Sequence, residues 1–157
     1  KWGVDVRDKY TKYVCNGEFG WNYFTDNKSK LEPEDDVAHV LWHRGWHMPD
    51  EEQFQELIDN CKWNYTTLNN IYVFVGTSKL NGNEIIFPAA WMFGNHQHVF
   101  PGETSYYGDY WTCDHYDSPY QNSGRSGNLS MYSDGISCHL NLEFRYRGLT
   151  VRPVKFQ

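Results

Sequence analysis

Residues 48–61, with the sequence MPDEEQFQELIDNC, carry the strongest local signal for the fold of this chain. Asp50 is a favoured N-cap residue type, and Gln53 three positions later completes the pattern of a capping box. Four apolar side chains then recur at the spacing i, i+3, i+4 and i+7: Phe54, Leu57, Ile58 and Cys61. This spacing predicts one apolar stripe along an amphipathic helix, which we expect to pack against a sheet.

Another helix is predicted directly upstream, beginning within residues 31–36 and ending at Gly45. Pro33 is tolerated in a first helical turn, and the three acidic residues after it match the positive end of the helix dipole. The apolar residues that follow at helical spacing are Val37, Val40 and Leu41. We therefore expect this helix to pack on the same sheet through that face.

Downstream of the helices the apolar pattern changes to that of strands. Residues 71–78 are rich in Val, Tyr, Phe and Thr, and Asn81-Gly82 is a favoured hairpin turn before residues 84–87. The rest of the pattern predicts strands at 106–113, 128–132 and 136–144, a polar loop at 114–127 and a tight turn at Asp134-Gly135. Helices followed by antiparallel strands predict an α+β domain.

The length of the chain, 157 residues, is that of one domain. We expect residues 1–30 to be an irregular lead-in, residues 31–61 to hold the two helices, and residues 71–154 to hold antiparallel strands and loops. Hydrophobic residues make up only 39% of the chain, but aromatic residues make up 18%. Because each buried aromatic ring removes a large area from water, a core is expected despite the few aliphatic side chains.

Charge and hydropathy argue against two classes of partner. The formal net charge is −6 and no basic cluster of five or more residues occurs, so we expect no nucleic-acid partner. No stretch approaches the length of a membrane span, so the chain is not expected to cross a membrane. Residues 1–5 lack the apolar region of a signal peptide.

Cysteine and histidine spacing gives no metal motif. The four cysteines are Cys15, Cys61, Cys113 and Cys138, and three disulfide connectivities stay open. Cys113 and Cys138 would face each other if their strands were neighbours; otherwise all four cysteines are small buried hydrophobic residues. His39 and His43 are four positions apart, but no H-E-x-x-H pattern contains them. We expect neither a metal nor a cofactor.

The last third of the chain has the composition of a recognition surface. Residues 106–154 are crowded with Tyr, which offers large contact area with few rotors, and with Ser, Asn and Gly, which offer adaptable hydrogen bonds. If Trp111 points inward, Thr112 points outward, and the neighbours of an inward Leu129 and Met131 do so too. The predicted ligand-binding residues are Thr112, Asp114, His115, Tyr116, Asp117, Tyr120, Asn122, Asn128, Ser130, Tyr132, His139, Asn141 and Tyr146.

We expect Tyr116, Tyr120 and Tyr132 to form one contiguous exposed surface that binds a glycan or a protein on a cell surface. Sugars have apolar faces and polar rims, which tyrosines and nearby Asn side chains suit, but the same tyrosines would anchor a protein. The alternative without a binding function is a solvated loop with a few surface tyrosines. No catalytic motif such as G-x-S-x-G or a phosphate-binding glycine loop occurs, so we expect no enzyme.

A set of short motifs recurs in the same order in one known family. The motifs are PEDDVAHV at 33–40, GWHMPDEE at 45–52, EL at 56–57, NCKW at 60–63, TS at 77–78, NGN at 81–83, FPAA at 87–90, YW at 110–111 and GLTVRPV at 148–154. Through them the chain resembles the Fibrobacter succinogenes major paralogous domain over about residues 10–154. His43 and Arg44 stand where that family pattern has small or polar residues, often Gly.

The resemblance implies a fold and a location. The family is found mostly in exported proteins of Bacteroidetes and relatives, and it is similar in fold to C-type lectin-like domains, with two helices on a twisted antiparallel sheet and a long surface loop. It implies a single C-type lectin-like domain, part of a longer chain, that is extracellular or on a cell surface, a phage tail included. Calcium-dependent lectins use a Glu-Pro-Asn or Gln-Pro-Asp loop with Trp-Asn-Asp, and neither occurs here, so that mode is not expected.

The resemblance also raises three further hypotheses. The stretch ending in VRPV looks like the variable region of proteins diversified by retroelements, and residues 112–118 have the composition that such diversification produces. A structural spacer or capping module of a larger exported protein is the alternative to ligand binding. Some C-type lectin-like relatives are cysteine-dependent oxidases of the formylglycine-generating type, but Asp114 beside Cys113 would raise the pKa of that thiol and work against this chemistry.

Overall fold

The computed structural model describes residues 10–90, 106–118 and 121–155. Within these ranges it contains two α-helices, short 3-10 helices at Gly17–Phe19 and Trp21–Tyr23, two three-stranded antiparallel sheets and one two-stranded ladder. The helices are α1 (Val37–Trp42) and α2 (Glu51–Asn60). The strands are β1 (Trp46–His47), β2 (Cys61–Leu68), β3 (Ile71–Ser78), β4 (Glu84–Pro88), β5 (Tyr107–Ser118), β6 (Gln121–Tyr132), β7 (Ser137–Phe144) and β8 (Val154–Lys155). At positions 117, 118 and 121–123 the backbone alone is described.

The strands pair in chain order within each sheet. One sheet has the order β2-β3-β4, the second has the order β5-β6-β7, and β1 pairs with β8 in a short two-stranded ladder. All of these pairs are antiparallel, which agrees with the predicted α+β class. Among the helices of the described ranges, none is long and apolar enough to cross a membrane.

The predicted helix after Asp50 is confirmed as α2. The Asp50 carboxylate accepts from Gln53 N at 2.9 Å, and Gln53 Oε1 accepts from Asp50 N at 3.1 Å, which completes the capping box. Phe54 is fully buried, and Leu57 and Ile58 pack against the same core. The local sequence therefore specifies both the start of this helix and its inner face.

An aromatic core joins α2 to both large sheets. Its buried members are Phe54, Phe74, Phe87, Ala89, Tyr110, Leu129 and Met131. Phe87 of β4 lies at the centre, with ring centroids 6.4 Å from Phe54 and 4.9 Å from Tyr110. The Tyr110 hydroxyl donates to the carbonyl of Pro88, so its one polar atom is satisfied inside the core. Aromatic side chains thus replace the aliphatic ones that the composition lacks.

Helix α1 differs from its prediction in both bounds and packing. It begins at Val37, because Asp36 is the N-cap and its carboxylate accepts from Ala38 N, His39 N and Met48 N. This anchor turns Ala38 inward and leaves the predicted apolar stripe outward, with Leu41 64% exposed. The prediction that Val37, Val40 and Leu41 pack on the sheet is therefore wrong. The helix ends at Trp42, and His43, Arg44 and Gly45 all have positive φ.

Strand β2 was not predicted from the sequence. It pairs with β3 along its full length, and the connecting Asn69-Asn70 has φ values of 49° and 64° at the two positions. A pair of left-handed residues is what a type I′ hairpin turn requires, and Asn adopts that conformation more readily than most residues. In the sequence, the Asn69-Asn70 pair could have indicated this hairpin turn.

The predicted polar loop at 114–127 is also wrong. Strand β5 continues to Ser118 and β6 begins at Gln121, so the two form one long hairpin. The register shifts between Trp111 and His115, where β5 carries extra residues against β6. Strand propensity depends strongly on neighbours, and here paired backbones hold polar residues in a ladder.

Candidate functional site

The register of β5, β6 and β7 fixes which side chains share a face. Tyr107 pairs with Tyr132, which pairs with Ser137, and Asp109 pairs with Ser130, which pairs with His139. Paired residues point to the same side of a sheet, and the side alternates along each strand. Tyr132, Ser130 and Asn128 therefore share one face with His139 and Asn141, which we call the outer face. Leu129 and Met131 point into the core, and this predicted alternation along β6 is confirmed.

Most of the outer face of β6 is nevertheless covered. Asn128 is 1% exposed and Ser130 is 2% exposed, so the prediction that they contact a ligand from an open surface is wrong. The segment that follows β7 reaches the opposite edge of the sheet at Thr150, which bridges Tyr110 of β5. It must cross one face to reach that edge. Arg147 pairs with Glu143 at 2.8 Å and acts electrostatically on Asp109, which places the crossing on the outer face.

A buried polar cluster lies on the covered part of the outer face. Ser130 Oγ donates to Asp109 Oδ1 at 2.7 Å, and Asn128 Nδ2 donates to the same oxygen at 3.0 Å. Burial raises the pKa of Asp109 to about 6, while the hydrogen bond from Ser130 lowers it. Asn128 Oδ1 is buried without a hydrogen-bond partner among the described residues. This cluster holds the sheet together and does not reach solvent.

Thr112 and Asp114 are structural residues rather than displayed ones. Trp111 pairs with Asn128 and therefore points to the outer face, so alternation turns Thr112 inward, where it is 1% exposed. The predicted outward orientation of Thr112, which assumed an inward Trp111, is wrong. Asp114 is buried as well, and its carboxylate accepts from Glu51 N at 2.8 Å. That amide belongs to the first turn of α2 and has no partner within the helix. Asp114 therefore attaches the helix to β5, and the prediction of a loop residue is wrong.

Tyr116 and Tyr132 lie on different faces. Tyr116 pairs with Arg125, and both side chains point away from the outer face. The Tyr116 hydroxyl donates to Glu51 at the start of α2. Tyr132 is seven positions from Arg125 along β6, about 23 Å at the rise of a strand. The prediction of one contiguous tyrosine surface is therefore wrong for this pair. Tyr120 lies outside the described residues, as do the side chains of Asp117 and Asn122, which belong to β5 and β6.

Three other predicted residues do not come together with Tyr132. His115 is half-buried, hydrogen-bonded through Nδ1 to Ser126 Oγ, and packed 4.7 Å from the Tyr13 ring. Tyr146 stacks on Phe144 with centroids 5.2 Å apart. Asn141 is exposed on β7, and its Oδ1 accepts from the next backbone amide.

The structure does gather aromatic residues at the other end of the outer face. A cleft of about 420 Å³, which we call the aromatic cleft, is lined by Tyr106, Tyr107, Tyr132, Ser133, Asp134, Ser137 and His139. The rings of Tyr107 and Tyr132 meet edge-on at 5.4 Å, and the His139 ring lies 5.3 Å from Tyr132. Tyr106 is 59% exposed. The cleft is open, and its described lining holds no aliphatic side chain.

Only two members of the aromatic cleft were predicted as ligand-binding residues: Tyr132 and His139. Tyr106 and Tyr107 were assigned to a strand without a role. The Asp134-Gly135 turn and the alternation of β6 relate Tyr132 to β7, but placing Tyr132 beside a tyrosine of β5 requires the β5–β6 register. The register itself is a long-range property that the sequence did not specify.

The cysteines of the two outer strands do not face each other. Cys113 lies on β5 and Cys138 on β7, with β6 between them, so the neighbouring strands that a facing pair would require do not occur. Both are free thiols. Burial and then Asp114 raise the pKa of Cys113 to about 12, and burial and then Cys61 raise that of Cys138 to about 12. The predicted effect of Asp114 is confirmed, and thiolate chemistry is disfavoured at both sites.

The described residues contain no group of three or more His, Cys, Asp or Glu side chains arranged to hold a metal ion. A second cavity of about 220 Å³ lies between Leu31, Trp111, His115 and Arg145. Its lining also includes residues of α1, β6 and the segment after β7, and the cavity is smaller than the aromatic cleft. Comparison with family models, with curated proteins and with solved structures gives no match to this chain.

Proposed function

We propose that this chain is a recognition module that binds a macromolecular ligand, a glycan or a protein, in the aromatic cleft. The observation that carries the proposal is the convergence of Tyr107, Tyr132 and His139 from three adjacent strands onto one open surface. Sites on paired strands are held more rigidly than sites on loops, so little ordering entropy is lost on binding. Tyr adds large amphipathic contact area with few rotors to freeze.

The proposed fold is a C-type lectin-like domain of the Fibrobacter succinogenes family. What supports it is that the family motifs occupy structurally demanding positions. Asp36 and Asp50 cap the two helices, and Thr150 bridges the edge of β5 at Tyr110. An exported protein, on a cell surface or in a phage tail, is the setting that goes with this family. Diversification of residues 112–118 has less support, because Thr112 and Asp114 are buried and carry structural hydrogen bonds.

One observation favours a structural spacer or capping module instead. The outer side of α1 exposes Val37, Val40, Leu41 and Trp42 together. Contiguous exposed apolar side chains often mark a surface that packs on another part of a protein. In this second candidate function α1 docks the module within a larger surface protein and the aromatic cleft has no ligand.

The test is an array of glycans and extracellular proteins probed with the wild type and with a Tyr132→Ala variant. We expect every specific hit to weaken about tenfold or more in the variant, because the central aromatic anchor is lost. Tyr116→Phe is the control, since Tyr116 lies on the other face of the sheet and the variant keeps the aromatic ring. Thermal melting establishes that both variants are folded.

Two results would contradict the proposal. Hits that survive Tyr132→Ala unchanged would place the binding site elsewhere on the surface. Complete absence of hits, combined with association of the chain through α1 that is lost in Leu41→Glu, would favour the spacer function.

A further inference from the structure

We propose that the ligand of the aromatic cleft is a neutral saccharide chain of at least two sugar units, and that the cleft discriminates against acidic sugars. This inference rests on the proposed function, since it names the chemical class of ligand for the same site. Three features of the described lining carry it: the geometry of the rings, the chemistry and charge of the rim, and the exposed third ring of Tyr106.

The ring geometry forms a corner. Tyr107 and Tyr132 are nearly perpendicular, at 88°, so one ring presents a face beside the edge of the other. A pyranose ring has apolar C–H faces and a polar hydroxyl rim. It can pack one face on a tyrosine ring while the second tyrosine approaches its rim. His139, tilted at 32° to Tyr132, extends the same wall.

The rim chemistry fits hydroxyl groups better than aliphatic side chains. Ser133, Ser137 and the tyrosine hydroxyls are small donors and acceptors, and the described lining contains no Leu, Ile, Val or Met. Protein ligands derive most of their affinity from a few anchor residues that become fully desolvated in a well-packed pocket. An open cleft of aromatic rings and hydroxyls lacks such a pocket, so it favours a hydroxylated ligand over a protein side chain.

The charge of the cleft selects among saccharides. Asp134 is the only formally charged residue in the described lining, and it is exposed at the rim. No Lys or Arg lines the described part of the cleft, and the chain as a whole carries a net charge of −6. A uronic acid or a sialic acid would therefore meet a like charge with no cation to pair with it.

A third tyrosine ring extends the lining beyond the Tyr107–Tyr132 corner. Tyr106 lines the same cleft and is 59% exposed. One sugar unit can pack in the corner while the next unit contacts Tyr106. A lining of several rings suits successive sugar units better than a single monosaccharide.

The experiment uses an array of neutral oligosaccharides of one to six units, built from hexoses, pentoses and N-acetylhexosamines, with acidic oligomers of matched length. Each hit is then titrated by calorimetry. We expect neutral hits whose affinity rises with length and then levels off, and acidic counterparts about tenfold weaker or more. Tyr106→Ala should abolish the gain with length, and Asp134→Asn should reduce the discrimination against acidic oligomers. Tyr116→Phe should change neither.

The possible failures are distinguishable. If no neutral oligosaccharide binds, or acidic oligomers bind equally well to the wild type, the saccharide assignment is overturned. If protein hits depend on Tyr132 while no saccharide binds, the recognition function stands and the ligand class is a protein. If no ligand of any class depends on Tyr132, both proposals fail.

Discussion

At the scale of single residues, the most consequential finding is that polar side chains near the candidate site belong to the interior. Asn128 and Ser130 face the predicted side of β6 but surround the carboxylate of Asp109 instead of solvent. Composition alone cannot separate these cases, because Ser and Asn serve equally well in a paratope and in a buried hydrogen-bond network. Burial also affects Asp109 energetically, since its pKa is raised to about 6.

The raised pKa predicts a specific dependence of stability on pH. The folded protein binds the Asp109 proton more tightly than the unfolded chain, whose Asp pKa is near 3.8. This group therefore favours folding most below the unfolded pKa, and its contribution is lost as the pH rises through about 6. The loss is on the order of 3 kcal/mol for a shift of this size.

Asp109→Asn removes this titration while keeping the side-chain shape. Relative to the wild type, the variant should gain free energy of unfolding between pH 4 and pH 7, as measured by urea denaturation. Other carboxyls have lowered pKa values, among them Asp26 and Asp50, and they contribute equally to both proteins, so they cancel in the difference. A difference that stays constant across this range would contradict the account.

At the scale of secondary-structure elements, local signals determined α2 and failed for the β5–β6 hairpin. Asp50, Gln53 and Phe54 act within one helical turn of each other, so the sequence predicts the cap and the buried face together. The hairpin depends on partners far along the chain, since the carboxylate of Asp114 binds the Glu51 amide 63 positions away. Alternation along β6 predicts which residues share a face, but it does not predict what covers that face.

Asp114→Ala tests the structural role of this carboxylate. The substitution leaves the Glu51 amide without its acceptor at the start of α2, so we expect a loss of about 1–2 kcal/mol in the free energy of unfolding. Binding to any ligand of the aromatic cleft should stay unchanged, because Asp114 does not line it. Asn141→Ala, at an exposed predicted ligand-binding position on β7, is the control and should change the free energy of unfolding little. Loss of binding with unchanged stability in Asp114→Ala would restore its predicted role as a ligand contact.

At the scale of the whole molecule, the sequence predicted the α+β class of fold, but it predicted an exposed tyrosine surface that the structure does not form. The order of helices and strands follows from hydrophobic periodicity, which is local. The proposed recognition surface depends instead on how the segment after β7 crosses the sheet to Thr150, since Asn128 and Ser130 are buried while the aromatic cleft is open. No local pattern contains that crossing. The crossing explains why Asn128 and Ser130, which were predicted to be exposed, are buried.

The central claim is that recognition takes place at the aromatic cleft on the outer face, away from Tyr116 and the buried polar cluster. The most direct measurement is a map of backbone amide chemical shifts during titration with a ligand identified on the array. We predict that the largest changes fall at Tyr106, Tyr107, Tyr132, Ser133, Ser137 and His139. Changes concentrated instead at residues 114–118, with those six amides unmoved, would contradict the account.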